Sequence, residues 1–339
     1  MSNINLFAGV DLGGTKINIT ILDESGQFRI TEMMEIPALV EQGPPATLKQ
    51  MQLALHQAAE TCGVSMSHVK AVGLDTPGPA SADGVISAQG STNFGHRAWA
   101  KFPIREAFQQ AIGLPTVYAN DGNAAALHCH RVKFGRDPKF SSLTAAVGTG
   151  LGGGIVVNGH MVVGAAGFAA EIGHVPLPTR GLLEPDQPIP QCNCGRGGDA
   201  ESWASLTGIR NSLLPYYLEK YPDHPLWQIV DSNGERAKRV RSFGEAGDEM
   251  ALQIFKKQAI ALGMLFDIAM QFLDLDAVFV GGGIMQTKPE FQEWFLGVIR
   301  EHFPLRDEQQ GVSIEIAADG DMAGARGAAR LALESWQER

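Results

Sequence analysis

Two glycine–threonine turns, each set between strand-like segments, constrain the fold more than any other feature of this chain. The first lies in "FAGVDLGGTKINITILDESG" (7–26), where residues 7–22 alternate well enough for two short strands joined at Gly13-Gly14. The second lies in "SLTAAVGTGLGGGIVVNGHMVVG" (142–164), which reads as strand, Gly-Thr-Gly turn, strand, turn, strand. Neither has the G-x-x-x-x-G-K-[ST] spacing of a P-loop, and no helix follows the first turn. Each turn instead begins a run of strands followed by helices. Two such halves predict duplicated α/β domains facing each other across a cleft.

The segments between and after the turns fit that plan. "LKQMQLALHQAAETCG" (48–63) is an amphipathic helix ending at Gly63, and "VKAVGLDTPG" (69–78) a strand running into a Pro-Gly turn. "TVYAND" (116–121) is a strand and "GNAAALHCHRVKFG" a helix ending at Gly135. A helical region over 245–273, a strand over 276–283 and an Ala-rich helix over 323–336 follow, the last expected to pack back on the first domain. The boundaries expected are 1–118 with 323–339 for the N-terminal domain, and 119–322 for the C-terminal one. Within 210–245, "YYLEKYPDHPLW" reads as an irregular insertion and "GERAKRVR" (234–241) as a solvated helix face.

Charge and composition exclude several classes. A formal net charge of −10 argues against a nucleic-acid partner, because phosphate neutralisation needs clustered Lys and Arg. The N-terminus lacks the basic and apolar regions of a signal peptide. The longest apolar stretch is interrupted by Asp267, Asp274 and Asp276, so no membrane span is expected. Four cysteines do not make a disulfide framework. The expected location is cytoplasmic.

Several residues have the chemistry of a site. Glycine turns let backbone N–H groups approach an anion, and Thr15 and Thr149 add hydroxyl donors. Asp11, two residues before the first turn, suits the hydration shell of a Mg²⁺ ion near phosphates. In "YANDGNAAAL" the polar residues either cap the following helix or place Asp121 as a general base. Glu171 and His174, in "GFAAEIGHVPLP", are either a surface pair or side chains aimed inward. Cys192 and Cys194, with Asp199 and Glu201 close behind, are either reduced loop cysteines or part of a Zn²⁺ set completed by His174 and Asp199. His128 and His130 sit mid-helix at spacings that do not share a face and read as ordinary, and Cys62 and Cys129 as packing residues.

Taken in order, "DLGGTK", "TPGP", "ANDGNAAA", "GTGLGGGIVVNG", "AAEIGH", "CNCGRGG", "GGGI" and "AGARGAA" resemble the ROK family of repressors and sugar kinases through nearly the whole chain. The resemblance implies the actin-like ATPase (ribonuclease H-like) α/β fold, with phosphates held between two β-hairpins. Gly13, Gly14 and Thr15, with Lys16, would then meet ATP phosphates from one side, and Gly148, Thr149 and Gly150 from the other. Gly281, Gly282 and Gly283 match the segment near adenosine. Asn120 and Asp121 match the family's sugar-binding pair, with Asp121 as catalytic base toward the sugar's 6-hydroxyl and Mg-ATP as donor. Glu171, His174 and Glu201 match positions that bind other hydroxyls, with Asn93 and Gly78 contributing from the first domain.

Two departures from the family pattern stand out. The family's C-x-C-G-x-x-G-C ends here in Asp199, so the implied Zn²⁺ set within the loop 174–201 is His174, Cys192, Cys194 and Asp199. The stretch "STNFGHRAWAKFPI" (91–104) keeps Asn93 but moves the tryptophan to Trp99, which leaves the choice of sugar open. The expectation is a hexose 6-kinase, glucose favoured over N-acetylmannosamine, N-acetylglucosamine and fructose. A sugar-binding protein without catalysis is the alternative of another class. A DNA-binding repressor is not expected, since the hairpin starts within ten residues of Met1. A homodimer is expected from the resemblance alone.

Overall fold

The computed structural model describes residues 4–88, 93–229 and 233–339. Ser91 and Thr92 of the 91–104 stretch, and 230–232 of the 210–245 stretch, lie outside the described residues. The chain forms two compact units: 1–138 with 154–170 and 318–339, and 139–153 with 171–317. The contact-defined division therefore groups 119–138 with the first sheet, where the sequence-based boundary falls after 118.

The first unit is built on strands β1 (Leu6–Leu12), β2 (Lys16–Asp23), β3 (Met34–Pro37), β4 (Val69–Thr76) and β5 (Thr116–Asn120), in the order β3-β2-β1-β4-β5. β1 to β3 form an antiparallel meander, and β4 and β5 run parallel to β1. Strand periodicity divides β1 between two faces. Leu6, Ala8, Val10 and Leu12 share a core with Met51, Ala54 and Leu55 of helix α1 (Pro44–Thr61), and with Ile104 and Phe108 of α2 (Ile104–Ile112). Phe7 faces the other way, onto Ala329, Ala332 and Leu333 of the C-terminal helix Ala323–Gln337. Both faces are covered, which is why β1 reads as a nearly continuous apolar run.

The C-terminal helix packs on β1, β4 and α3 (Asp121–Phe134). Its small residues allow a close approach that a single methyl would block. A Cβ on Gly9 would lie 1.9 Å from the Ala325 carbonyl oxygen, and one on Gly327 would lie 1.8 Å from that of Ala124. Polar anchors add direction to the apolar contact. Arg131 donates from Nε and Nη2 to the two Glu334 oxygens, at 2.6 and 2.9 Å. His128 lies buried between Asp319, 2.6 Å from its Nε2, and Arg330, whose Nε donates to its Nδ1 at 3.1 Å.

The second sheet runs β10-β9-β6-β7-β8, from β6 (Ser142–Val147), β7 (Leu151–Val157), β8 (His160–Met161), β9 (Ala277–Gly281) and β10 (Ser313–Ile316). Read from the other edge, this repeats the first sheet: a three-strand meander followed by two strands parallel to its first. The duplication expected from the two turns is visible in this shared strand order. The second unit holds β6, β9, β10 and the start of β7, with the short helices α4 (Ala200–Ala204) and α5 (Leu206–Gly208), then α6 (Leu214–Lys220), α7 (Asn233–Glu245), α8 (Glu249–Leu273) and α9 (Pro289–Glu301). The C-terminal helix is α10. Asp248 caps α8 by accepting from the Ala251 N–H at 2.9 Å.

Two expectations fail locally. "YYLEKYPDHPLW" is helical over much of its length, because Leu214, Tyr216, Tyr217 and Leu218 supply a buried face. The basic run on α7 is more than a solvated face. Arg241 donates to the Gly283 carbonyl at 2.7 Å, and Arg236 donates twice to that of Ile229. No helix among the described residues is long and apolar enough to cross a membrane.

Candidate functional site

In the first unit the candidate residues gather at the ends of β1, β4 and β5. The turn between β1 and β2 is closed by the Gly13 N–H donating to the Lys16 carbonyl at 2.9 Å, which leaves Thr15 and Lys16 exposed. The Lys16 ammonium pairs with Glu35 of β3. The Asn93 side chain lies against Gly14, where a Cβ would fall 2.8 Å from Asn93 Oδ1. Gly78 lies beyond the end of β4, just before Pro79.

A row of polar side chains crosses β2, β1 and β4 on the face that α10 covers. Asn18 and Asp11 are paired in antiparallel register, and Asn18 Nδ2 donates to Asp11 Oδ2 at 3.1 Å. Asp11 and Asp75 are paired in parallel register. Burial pushes the Asp11 carboxyl up, against the hydrogen bond from Asn18 and the adjacent Asp75 carboxyl, which pull it down. Asp75 is pushed well above the usual carboxylate range, first by burial, then by the charges of Asp11 and Asp121. Asp75 was not singled out from the sequence. The signal was present: one acidic residue in an apolar strand, one residue before its end, as Asp11 is one residue before the end of β1.

Asn120 and Asp121 mark the junction of β5 and α3. Asn120 is the N-cap, its Oδ1 accepting from the Gly122 N–H at 3.0 Å, so the capping reading holds for that residue. Asp121 occupies the first helical position and is half-buried, its Oδ1 accepting from the same N–H at 2.7 Å.

In the second unit, the turn between β6 and β7 leaves Gly148 and Thr149 exposed. Its carbonyls are tied to the start of α5: the Leu206 N–H donates to Gly148 at 2.9 Å, and Thr207 Oγ1 to Thr149 at 2.7 Å. Glu201 Oε2 accepts from the Leu151 N–H at 3.0 Å, and its Oε1 accepts from the Cys192 thiol at 3.4 Å. Position 150 has no room for a side chain beside that carboxylate, since a Cβ there would lie 2.6 Å from Glu201 Oε2. Desolvation raises the Glu171 carboxyl, as does Glu201, while His174 lowers it. Gly281 closes β9, and Gly282 and Gly283 follow it into a short 3-10 turn held by Arg241.

His174, Cys192, Cys194 and Asp199 each offer a ligand atom within 4.8 Å of the others. His174 Nδ1 stands 3.2 Å from Asp199 Oδ2, and the Cys194 thiol donates to the same oxygen at 3.6 Å. Burial pushes the Cys192 thiol up. Two sulfurs, one imidazole and one carboxylate at this separation suit a four-coordinate Zn²⁺ ion.

The profile of the ROK family matches residues 7–335. The chain is 31% identical to a glucokinase of Halalkalibacterium halodurans, over 95% of this chain and 93% of the relative. It is 28% identical to an N-acetylmannosamine kinase of Escherichia coli, over 96% and 97% of the two chains. Among solved structures, a ROK family glucokinase from Streptomyces griseus, in complex with glucose and AMPPNP, superposes with a TM-score of 0.72. The identity there is 26%, over 97% of this chain and all of that one. The fold is that of the actin-like ATPases, and this chain belongs to the ROK family.

Proposed function

We propose that this protein is an ATP-dependent sugar kinase that phosphorylates a hexose at the 6-hydroxyl, with glucose as the leading substrate. The observation that carries the reading is the head of α3. Asn120 caps the helix and holds Asp121 at its first position, half-exposed, where a carboxylate can take a proton. In the reaction, Asp121 accepts the proton of the sugar hydroxyl as that oxygen bonds to the γ-phosphorus of ATP. The bond from that phosphorus to the bridging oxygen breaks, and ADP leaves with the electron pair.

The remaining residues have supporting roles. The turns at Gly13–Lys16 and Gly148–Gly150 present backbone N–H groups to phosphates, and Gly281–Gly283 serves the adenosine end. Asn93, Asn120, Glu171, His174 and Glu201 hydrogen-bond the sugar, with Gly78 leaving room beside it. Mg²⁺, when bound with ATP, neutralises charge on the phosphates, and Asp11 suits its water shell. Zn²⁺ would be held by His174, Cys192, Cys194 and Asp199, with a structural part in ordering the loop.

N-acetylmannosamine is the second reading, favoured by the comparable likeness to the kinase for that sugar. The test is ADP release from Mg-ATP across a panel of hexoses and N-acetylhexosamines, beside the Asp121→Asn variant. Saturable turnover on one sugar, lost in the variant, is the expected result. No turnover on any sugar by folded protein, or full turnover by the variant, would overturn the reading.

A further inference from the structure

Asp199 is fully buried and its two carboxylate oxygens do different work. Oδ2 faces the donor cluster, between His174 Nδ1 and the Cys194 thiol. Oδ1 points the other way and accepts from the Ser202 N–H at 2.9 Å, which makes Asp199 the N-cap of α4. Ser202 returns a bond, its Oγ donating to the Asp199 carbonyl at 2.7 Å. One residue past the start of that helix is Glu201, whose Oε2 is fixed on the Leu151 N–H beside the second turn.

The loop before it is laced together by its own backbone. The Ala200 N–H donates to Val175, that of Leu177 to Gly198, that of Gly198 to Pro190, and that of Cys192 to Arg196. Arg196 Nη1 adds a bond to the His174 carbonyl at 3.1 Å. None of these bonds needs a metal ion. A cysteine in place of Asp199 would offer a thiolate ligand but a poor cap, because the residues that cap well carry a short side-chain oxygen.

We propose that Asp199 is a positioning residue: through the N-cap of α4 it holds Glu201 against the second turn, so that in this chain loop order rests on a carboxylate cap, and a bound metal ion adds to that order instead of creating it. The link to sugar affinity rests on the reading of Glu201 as a sugar-binding residue; the link to loop order does not.

The test compares wild type with Asp199→Asn, Asp199→Cys and Asp199→Ala, each loaded with Zn²⁺ or treated with EDTA. Amide hydrogen exchange over residues 198–205 reports loop order without reference to catalysis. In wild type, exchange should change by no more than about twofold on chelation, whereas chelated Asp199→Cys should exchange roughly tenfold faster and recover with zinc. Asp199→Asn keeps an oxygen for the Ser202 N–H and should behave as wild type, unlike Asp199→Ala. In turnover assays, KM for the sugar should rise in chelated Asp199→Cys and in Asp199→Ala, with kcat changing less.

Equal deprotection of wild type and Asp199→Cys on chelation would overturn the proposal. So would an Asp199→Asn variant as unprotected as Asp199→Ala. If Asp199→Cys does not fold, wild type with and without chelator, beside Asp199→Asn, still decides. If no sugar is phosphorylated by any of the proteins, the kinase reading falls while the exchange experiment still judges the cap.

Discussion

Asp11 and Asp75 face each other across β1 and β4 in parallel register, on the face covered by α10. Asp75 is 0% exposed, and no N–H or O–H donor among the described residues reaches either of its oxygens. Burial, and then the charges of Asp11 and Asp121, push the Asp75 carboxyl well above the usual carboxylate range, which favours its neutral form. The first turn of α10 closes over the pair, where a Cβ on Gly324 would lie 3.2 Å from the Asp11 carboxyl carbon. The positive end of the α10 dipole favours the charge that remains on Asp11.

The stability cost of Asp75 has a definite sign. Its folded pKa is raised above the ordinary carboxylate value of 3.8, so the stability it contributes is fully present below about pH 3.8 and is lost as pH rises through the folded value. Asp75→Asn removes the acid and sets an amide N–H beside Asp11. At pH 7 the variant should be more stable than wild type by about 1–3 kcal/mol, the cost of a poorly satisfied buried polar group. The gain should vanish near pH 3.5. Urea unfolding at the two pH values checks this, and a variant no more stable than wild type at pH 7 would refute it.

Asp121→Asn separates catalysis from folding. The Asn120 cap on the Gly122 N–H survives the change, so unfolding free energy should stay within roughly 0.5 kcal/mol of wild type. Loss of the general base should lower kcat by about 10²–10⁴, with a smaller change in KM. Steady-state kinetics and a melting curve on the same preparation decide. A variant with wild-type kcat would remove Asp121 from the reaction.

Much of this was readable in the sequence because the fold writes itself in short-range patterns. The two turns are runs of glycine between alternating strands, and their recurrence anticipated the shared strand order of the two sheets. α3 was legible from its cap and its terminal Gly135. The strands β3 and β10 were not: each is four residues at a sheet edge, too short for a period to emerge. Asp75 escaped for a different reason. Its meaning depends on the register that sets it beside Asp11, and register between strands more than fifty residues apart leaves no local mark. The double role of Asp199 likewise appears only when the direction of each oxygen is known.

Two helical glycines should respond in opposite ways to alanine. A methyl on Gly327 meets the Ala124 carbonyl oxygen at 1.8 Å, so α10 has to move away from α3, and overpacking of this kind costs about 1–3 kcal/mol or more. Gly297 of α9 has nothing within 4 Å of the added methyl. There the better helix propensity of alanine should stabilise by up to roughly 1 kcal/mol. Thermal melts of the two variants test the packing of α10 against an internal control; a neutral Gly327→Ala would mean that α10 is not seated as described.

Buried histidines on α3 make the first unit sensitive to mild acid. Burial, helped by the Arg131 charge, pushes His130 down to about 4, while Glu334 opposes the shift. Its folded pKa is thus depressed below the unfolded value near 6.5. The corresponding stability is present above pH 6.5 and is lost as pH falls through about 4, because the unfolded chain takes up the proton first. Burial also lowers His128, despite Asp319, so it adds to the loss in the same direction. Wild type should lose on the order of 1–3 kcal/mol between pH 7 and pH 4.5 through these groups. His130→Phe keeps a ring beside Phe134, whose centroid lies 5.2 Å from that of His130, and removes one titrating site. Denaturant unfolding at half-unit pH steps should show a shallower decline in the variant. Parallel curves for the two proteins would mean that His130 takes no part in the acid response.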